Sequence, residues 1–259
     1  FCALATKLAM VNEPRSKQVF AFRDFDKDVV GFEPIKVHVL DVLLGDIFNN
    51  YVPAATRERA NLNMAFLGEP GTGKSVTARK VGQFYQAAGI LKPVGGGKEV
   101  VVVEVSRSDL VGNHWGAGIK NLKVHLGKSK GGVLLIDEAH SIVLGESDMR
   151  GYGGEILEYL VKVAEDERDE RIIMLTGYPQ KMKEFFDRNP GLGSRFPAQF
   201  HCPNFSTNQL AQIFRNMLKE RRLTMLTDAD GVLQERCERI ADGTGNGRAV
   251  RNLLEAVVT

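Results

Sequence analysis

Short apolar runs, each bounded by glycine or by charge, alternate along this chain with segments of helical spacing. Asn63 to Leu67 is one such run and ends at Gly68. Val100 to Val105 is a second, rich in β-branched residues. Val133 to Asp137 follows Gly131 and Gly132, Ile172 to Thr176 is a fourth, and Gln199 to Cys202 is a shorter fifth. The first four are apolar nearly throughout, which reads as strands buried on both faces. Helical spacing fills the gaps at Lys74 to Ala88, Ile119 to Leu126 and Glu155 to Glu167. Strands that alternate with helices in this way predict an α/β fold, a parallel five-stranded sheet covered by helices on both sides.

The pattern changes at Ser206. Three amphipathic segments follow, about Thr207 to Arg221, Asp228 to Ala241 and Arg248 to Val258. They predict a small all-helical unit with its boundary near Pro203 to Phe205. Upstream, Phe1 to Phe22 is mixed and reads as a helix left over from something longer. Asp24 to Gly31 reads as a turn leading into a helix from Phe32 to about Asn49. Arg57 to Asn61 is polar, Pro93 to Gly97 is a loop by composition, and Gly145 to Gly154 reads as a flexible linker. The expected division is therefore an N-terminal extension over 1–23, an α/β domain over 24–205 and a helical domain over 206–259.

Composition narrows the class. Hydrophobic residues make up 43% of the 259 positions and charged residues 25%, with a net charge of +2. This is the balance of a soluble globular protein, and nothing in it asks for a polyanionic partner. Cys2, Cys202 and Cys237 are odd in number and lack metal-ligand spacing, so they read as free thiols in a reducing compartment, cytoplasm or plastid stroma. No apolar run approaches the ~18 residues of a membrane span, so no membrane insertion is expected. The chain opens on Phe1 rather than Met, which reads as a processed or partial chain.

The strongest chemical signal is Gly68-Glu69-Pro70-Gly71-Thr72-Gly73-Lys74-Ser75, followed by Val76. It fits G-x-x-x-x-G-K-[ST] in full, with a strand before it and a helix after. Glycines let the backbone wrap phosphates with N–H groups pointing inward, and the helix N-terminus adds partial positive charge. Lys74 would reach the β- and γ-phosphates, and the Ser75 hydroxyl would ligate Mg²⁺. The expected ligand is ATP with Mg²⁺.

A second signal is Val133-Leu134-Leu135-Ile136-Asp137-Glu138, a buried strand that delivers two carboxylates at its C-terminal end. Open α/β sheets place their ligands at that end. Asp137 would hold Mg²⁺ through water, and Glu138 would orient and polarise the attacking water. His140 completes Asp137-Glu138-Ala139-His140, a string that also names a helicase class. The chain ends in a small helical unit rather than a second nucleotide-binding half. It also lacks the aromatic–basic interleaving of a nucleic-acid channel, so no nucleic-acid partner is expected.

With these motifs in place the chain resembles the AAA+ P-loop ATPases, and among them the CbbX/CfxQ family that contains the red-type Rubisco activases. The resemblance runs from about Asp24 to the C-terminus. It is carried by Thr176-Gly177-Tyr178-Pro179, by Asn189-Pro190-Gly191-Leu192-Gly193-Ser194-Arg195-Phe196, and by Asp109-Leu110-Val111-Gly112 and Arg248-Ala249-Val250-Arg251-Asn252. It implies an α/β domain with a helical lid, ATP held between them, and a neighbouring subunit at the edge of the site. Val30 and Gly31 resemble the segment that packs on adenine. Arg195 resembles the arginine finger that acts in trans, and Arg248 the lid arginine, with Arg251 as second choice. Tyr178 stands at the sensor-1 position, where such proteins commonly carry asparagine. His114-Trp115-Gly116 aligns with a pore loop that is often Tyr-Ile-Gly. Trp115 is read either as gripping a peptide in a central channel or as filling a core or subunit contact. Met149 to Gly154 resembles the segment after the Walker B strand, read as a second channel loop or a plain linker.

The resemblance implies an ATP-driven remodeller that works as a ring, commonly a hexamer, of identical or paralogous subunits. Its client would be a protein, Rubisco large subunit in the best-known members and sporulation or secretion components in others. An assembly subunit that binds ATP and hydrolyses it weakly is the alternative from another class.

Overall fold

The computed structural model describes residues 13–49, 53, 60–92, 101–112, 114–144, 152–225, 229–243 and 246–258. Five strands form one sheet: β1 (Met64–Gly68), β2 (Val102–Val105), β3 (Val133–Ile136), β4 (Ile172–Gly177) and β5 (Ala198–Cys202). The order across the sheet is β2-β3-β4-β1-β5, and every pairing is parallel. Each strand is followed by helical chain that carries it back to the start of the next. These are α3 (Lys74–Ala87), α4 (Arg107–Leu110), α5 (Ala117–Lys128), α6 (Ser141–Leu144), α7 (Tyr152–Asp166), α8 (Pro179–Asp187) and α9 (Gly191–Arg195). Among the described residues two helices precede β1, α1 (Glu13–Asp28) and α2 (Glu33–Asn49), and three follow β5, α10 (Thr207–Glu220), α11 (Asp230–Ala241) and α12 (Asn246–Val258).

The apolar strands are explained by two cores, one on each face. Successive strand residues point to opposite sides. Met64, Phe66, Val133, Leu135 and Met174 therefore join the core under α1, α2, α3 and the C-terminal helices. Their neighbours Ala65, Leu134, Ile136, Ile173 and Leu175 join the core under α5, α7 and α8. One buried polar side chain ties the sheet at its N-terminal edge. Asn63 accepts from the Ile173 amide at 2.8 Å and donates to the Ala164 carbonyl at 3.1 Å, so both its side-chain oxygen and its nitrogen have a partner.

Two expectations are corrected. Asp24 to Asp28 is the last turn and a half of α1, not a turn. Phe25 is buried against Phe84 of α3 with ring centroids 5.3 Å apart, and that packing carries the helix on. The reversal lies at Val29 to Phe32, where Gly31 and Phe32 have φ of 74° and 59°. Gly153 and Gly154 belong to α7, whose buried stripe of Ile156, Leu157, Leu160 and Val163 outweighs their weak helix propensity. The rest of that predicted linker, 145–151, lies outside the described residues, as do residues 1–12, 54–59 and 93–100, which include Cys2 and the Pro93 to Gly97 segment. Cys202 and Cys237 are free and buried, and burial pushes the Cys202 thiol up to about 12. Among the described residues no helix is long and apolar enough to cross a membrane.

Gly45 offers a check on the helical packing. It sits exposed in the interior of α2, and a Cβ there would meet nothing within 4 Å. Gly45→Ala should therefore stabilise the protein by roughly 0.5–1 kcal/mol, since it removes only unfolded-state freedom. A thermal midpoint unchanged or lowered in calorimetry would contradict this placement.

Candidate nucleotide site

The loop after β1 takes its shape from its glycines. Gly71 and Gly73 have φ of 79° and 81°, a region that L side chains rarely adopt. Gly73 is also the N-cap of α3, with no side chain to cap it, so the first amides of that helix are open to an anion. Lys74 folds over the loop, and its ammonium donates to the carbonyls of Gly68 and Glu69, each at 2.8 Å. Burial pushes its pKa down, with Cys202, Asp137 and Glu138 opposing that shift.

Strand register assembles the acidic half. Ile136 pairs with Leu175, so Asp137 and Thr176 emerge side by side at the ends of β3 and β4. Asp137 Oδ1 accepts from the Ser75 hydroxyl at 3.0 Å and also from the Thr176 hydroxyl. The Thr176 oxygen in turn accepts the Glu138 amide at 3.2 Å. Glu138 turns off the strand at φ 49°, and its Oε1 accepts from the Tyr178 hydroxyl at 2.8 Å. A hydroxyl and a carboxylate in contact beside the phosphate loop are the hard oxygen donors that suit Mg²⁺, which binds through few protein ligands together with phosphate and water. His140 lies behind this group, buried, with its ring 5.2 Å from that of Tyr178, and burial pushes its pKa down.

These residues open into a cavity of 720 Å³, ample for a nucleoside triphosphate. Pro70, Gly71, Gly73, Lys74, Ser75, Val76, Asp137, Glu138 and Tyr178 line one part of it. Asp28, Val29, Val30 and Phe32 line another, facing Ile213, Asn216 and Met217 of α10. Arg248 and Arg251 of α12 both reach it. Gly31, Glu69 and Thr72 do not line it: Gly31 lies against the Gln209 side chain, and the buried Thr72 hydroxyl donates to the Glu69 carbonyl at 2.8 Å. Two cations at the rim are already paired, Lys80 with Asp28 at 2.9 Å and Arg79 with Glu104 at 3.2 Å.

The lid is fastened to the phosphate loop by backbone. The Gly247 amide donates to the Gly71 carbonyl at 3.0 Å. Asn246, buried and at φ 43°, accepts from the Phe205 amide at 3.2 Å and donates to Asn204 at 2.9 Å. Phe205 meets Phe32 edge-on at 5.4 Å, just beyond Gly73.

Other predicted residues lie elsewhere. Arg195 ends α9, just before β5 begins. Because β5 runs parallel to β1, Arg195 stands at the edge of the sheet opposite to Gly68–Ser75. There Asn61 donates to its carbonyl at 3.0 Å, its Nη1 meets the Ser194 hydroxyl at 2.8 Å, and its Nε stands 3.4 Å from Glu165. His114, Trp115 and Gly116 do not line the cavity either. Trp115 is 63% exposed, which removes it from the core of this chain. Its ring stacks edge-on with Tyr152 at 5.5 Å, and the Gly116 amide is held by both Glu155 oxygens at 3.0 Å.

Thr176 and the Asn246–Gly247 pair were not identified from the sequence as site residues. A lone hydroxyl closing an apolar strand was the available signal for Thr176. A conformation at φ 43° on asparagine leaves no such mark.

Comparison with known proteins agrees with the geometry. Residues 64–204 match the ATPase family associated with various cellular activities (AAA), and residues 206–259 match the AAA lid domain. The chain is 33% identical to the chloroplastic ribulose bisphosphate carboxylase/oxygenase activase of Cyanidioschyzon merolae, over 90% of this chain and 78% of that protein. It is 34% identical to stage V sporulation protein K of Bacillus subtilis, over 88% and 70%. It is 32% identical to protein CbbX of Cereibacter sphaeroides, over 90% and 74%. A parallel sheet with its phosphate loop, a helical lid and these relatives together place the chain in the CbbX/CfxQ family of AAA+ ATPases.

Proposed function

We propose that this chain is a Mg²⁺-dependent ATPase that works as a ring and remodels a protein client. The observation that carries the reading is the separation of Arg195 from the cavity by the full length of the sheet. Within one chain that arginine cannot serve the site. In a ring of head-to-tail subunits it would face the cavity of a neighbour, where a guanidinium stabilises charge on the transferring phosphoryl group. The divisions at 24–205 and 206–259 would then be the two bodies whose relative motion follows the nucleotide.

The residues have distinct tasks in this reading. Lys74 and the amides at the start of α3 hold phosphates. Ser75 and Asp137 would hold Mg²⁺, which supplies charge neutralisation at the phosphates. Glu138 orients and polarises water. Val30 and Gly31 belong to the base-binding segment, and Arg248, with Arg251 one turn on, reaches the phosphates from the lid. Tyr178 stands at the sensor-1 position. The exposed Trp115, paired with Tyr152, suits a surface that grips another chain better than it suits a core.

Glu138→Gln should lower ATP turnover about 100-fold, the low end expected for loss of a positioned base, while ATP stays bound. Equal turnover in wild type and variant would discard the remodelling reading in favour of an assembly subunit that hydrolyses weakly. The same variant serves as a trap. Rubisco large subunit captured with it would support the activase branch, and its absence would favour a secretion or assembly role. DNA or RNA that stimulates turnover would point instead to a nucleic-acid motor.

A further inference from the structure

We propose that Glu165 is a positioning residue for Arg195: its carboxylate holds the guanidinium by the Nε edge, so that the Nη tip is presented to the site of a neighbouring subunit. This deepens the trans role proposed for Arg195 and rests on it.

An arginine side chain is long and rich in rotamers, and one that serves a neighbour's site works best when it is ordered before the encounter. The supports around Arg195 order it from one end. Its Nε is buried and has no hydrogen-bond partner among the described residues, so the charge it faces is Glu165 Oε2, 3.4 Å away. Its Nη1 donates to the Ser194 hydroxyl at 2.8 Å, and that hydroxyl is itself anchored by donating to the Gly191 carbonyl at 3.1 Å. Among the described residues Nη2 has no partner, and the side chain as a whole is 31% exposed. The buried end is therefore the Nε edge and the open end is the Nη tip, the part of the fork that meets phosphate oxygens.

The two main chains are tied to one another. Asn61 donates to the Arg195 carbonyl at 3.0 Å and accepts from the Asn63 amide at 3.0 Å. Asn63 reaches on to the Ala164 carbonyl, one residue before Glu165, at 3.1 Å. Phe196, next to Arg195, is fully buried and holds the end of α9 down. The carboxylate is oriented as well, with Oε2 toward Arg195 and Oε1 toward Arg168 at 3.7 Å. An ion pair at this exposure adds little to stability, so the consequence of Glu165 is geometric.

The test uses steady-state turnover, with ATP affinity measured beside it. Glu165→Ala should lower kcat about 10-fold, short of the ~10²-fold that a misplacement of ~1 Å can cost. KM for ATP and the thermal midpoint should stay at their wild-type values, because the chain's own cavity and core are untouched. Glu165→Gln, of the same shape but uncharged, should lower kcat in the same direction. In the Arg195→Ala background Glu165→Ala should cost nothing further. Mixing then assigns the effect to one side of the interface. Glu165→Ala chains mixed equally with Lys74→Ala chains should reach roughly a quarter of the wild-type rate, above Glu165→Ala alone, as intact arginines meet intact loops. Mixed with Arg195→Ala chains they should gain nothing. Unchanged kcat in both Glu165 variants, an additive loss with Arg195→Ala, or no gain with Lys74→Ala would overturn the positioning role. An Arg195→Ala variant as fast as the wild type would overturn the trans role itself, and the positioning role with it.

Discussion

Arg195→Ala should lower ATP turnover by about 10³-fold, or about 4 kcal/mol of transition-state stabilisation. The same variant should bind ATP at its own cavity as the wild type does, because Arg195 lies at the far edge of the sheet. Its loss removes one partly exposed ion pair, to Glu165 at 3.4 Å, which contributes little to stability at that exposure. Mixing experiments separate a trans role from a structural one. Chains with Arg195→Ala keep an intact phosphate loop, and chains with Lys74→Ala keep an intact arginine. Co-assembled in equal amounts, they should recover roughly a quarter of the wild-type rate, the share of head-to-tail interfaces that hold both groups. A mixture no more active than either variant alone would rule out completion of the site by a neighbour.

Gly68→Ala should unfold the site from within. A Cβ on Gly68 would collide with the Cys202 carbonyl oxygen and stand 2.8 Å from the Thr72 hydroxyl. The carbonyl cannot yield, because Gly68 and Cys202 are paired partners in the β1–β5 ladder. The expected cost is about 3 kcal/mol, the upper end for overpacking against fixed atoms. For a chain of this size that lowers the thermal midpoint by roughly 6–12 °C. Nucleotide binding should vanish as well, since Lys74 rests on the Gly68 carbonyl and the loop departs from that residue. Retained binding with a midpoint near that of Gly45→Ala would mean that β5 does not press on the loop.

The sheet was legible because its strands are buried on both faces, and such strands announce themselves as apolar runs between glycines. The phosphate loop and the two acids were legible because their spacing is local. What stayed hidden depends on contacts between distant segments. The one- and two-turn helices Arg107–Leu110, Ser141–Leu144, Pro179–Asp187 and Gly191–Arg195 are too short for helical periodicity to stand out. Asp24 to Asp28 reads as a turn by composition, and only the burial of Phe25 on α3 makes it helix. Tyr178 was legible as a position in a motif, but its bond to Glu138 follows from the register of β3 against β4. Trp115 could be read as core or surface until its neighbours were placed.

In the proposed cycle the bond from the Gly247 amide to the Gly71 carbonyl would make the lid a lever with its fulcrum on the phosphate loop. Helix α12 starts at that bond and runs 13 residues, about 20 Å at 1.5 Å per residue. A tilt of about 10° at the pinned end would sweep the other end through roughly 3.5 Å. Both atoms of the pin belong to main chain and sit at glycines, and a Cβ at Gly247 would stand 3.0 Å from the Gly71 carbonyl oxygen, so a side chain there would press directly on the pin. In the proposed remodelling cycle the stroke length would be set by the length of α12 and its trigger by the peptide plane at Gly71.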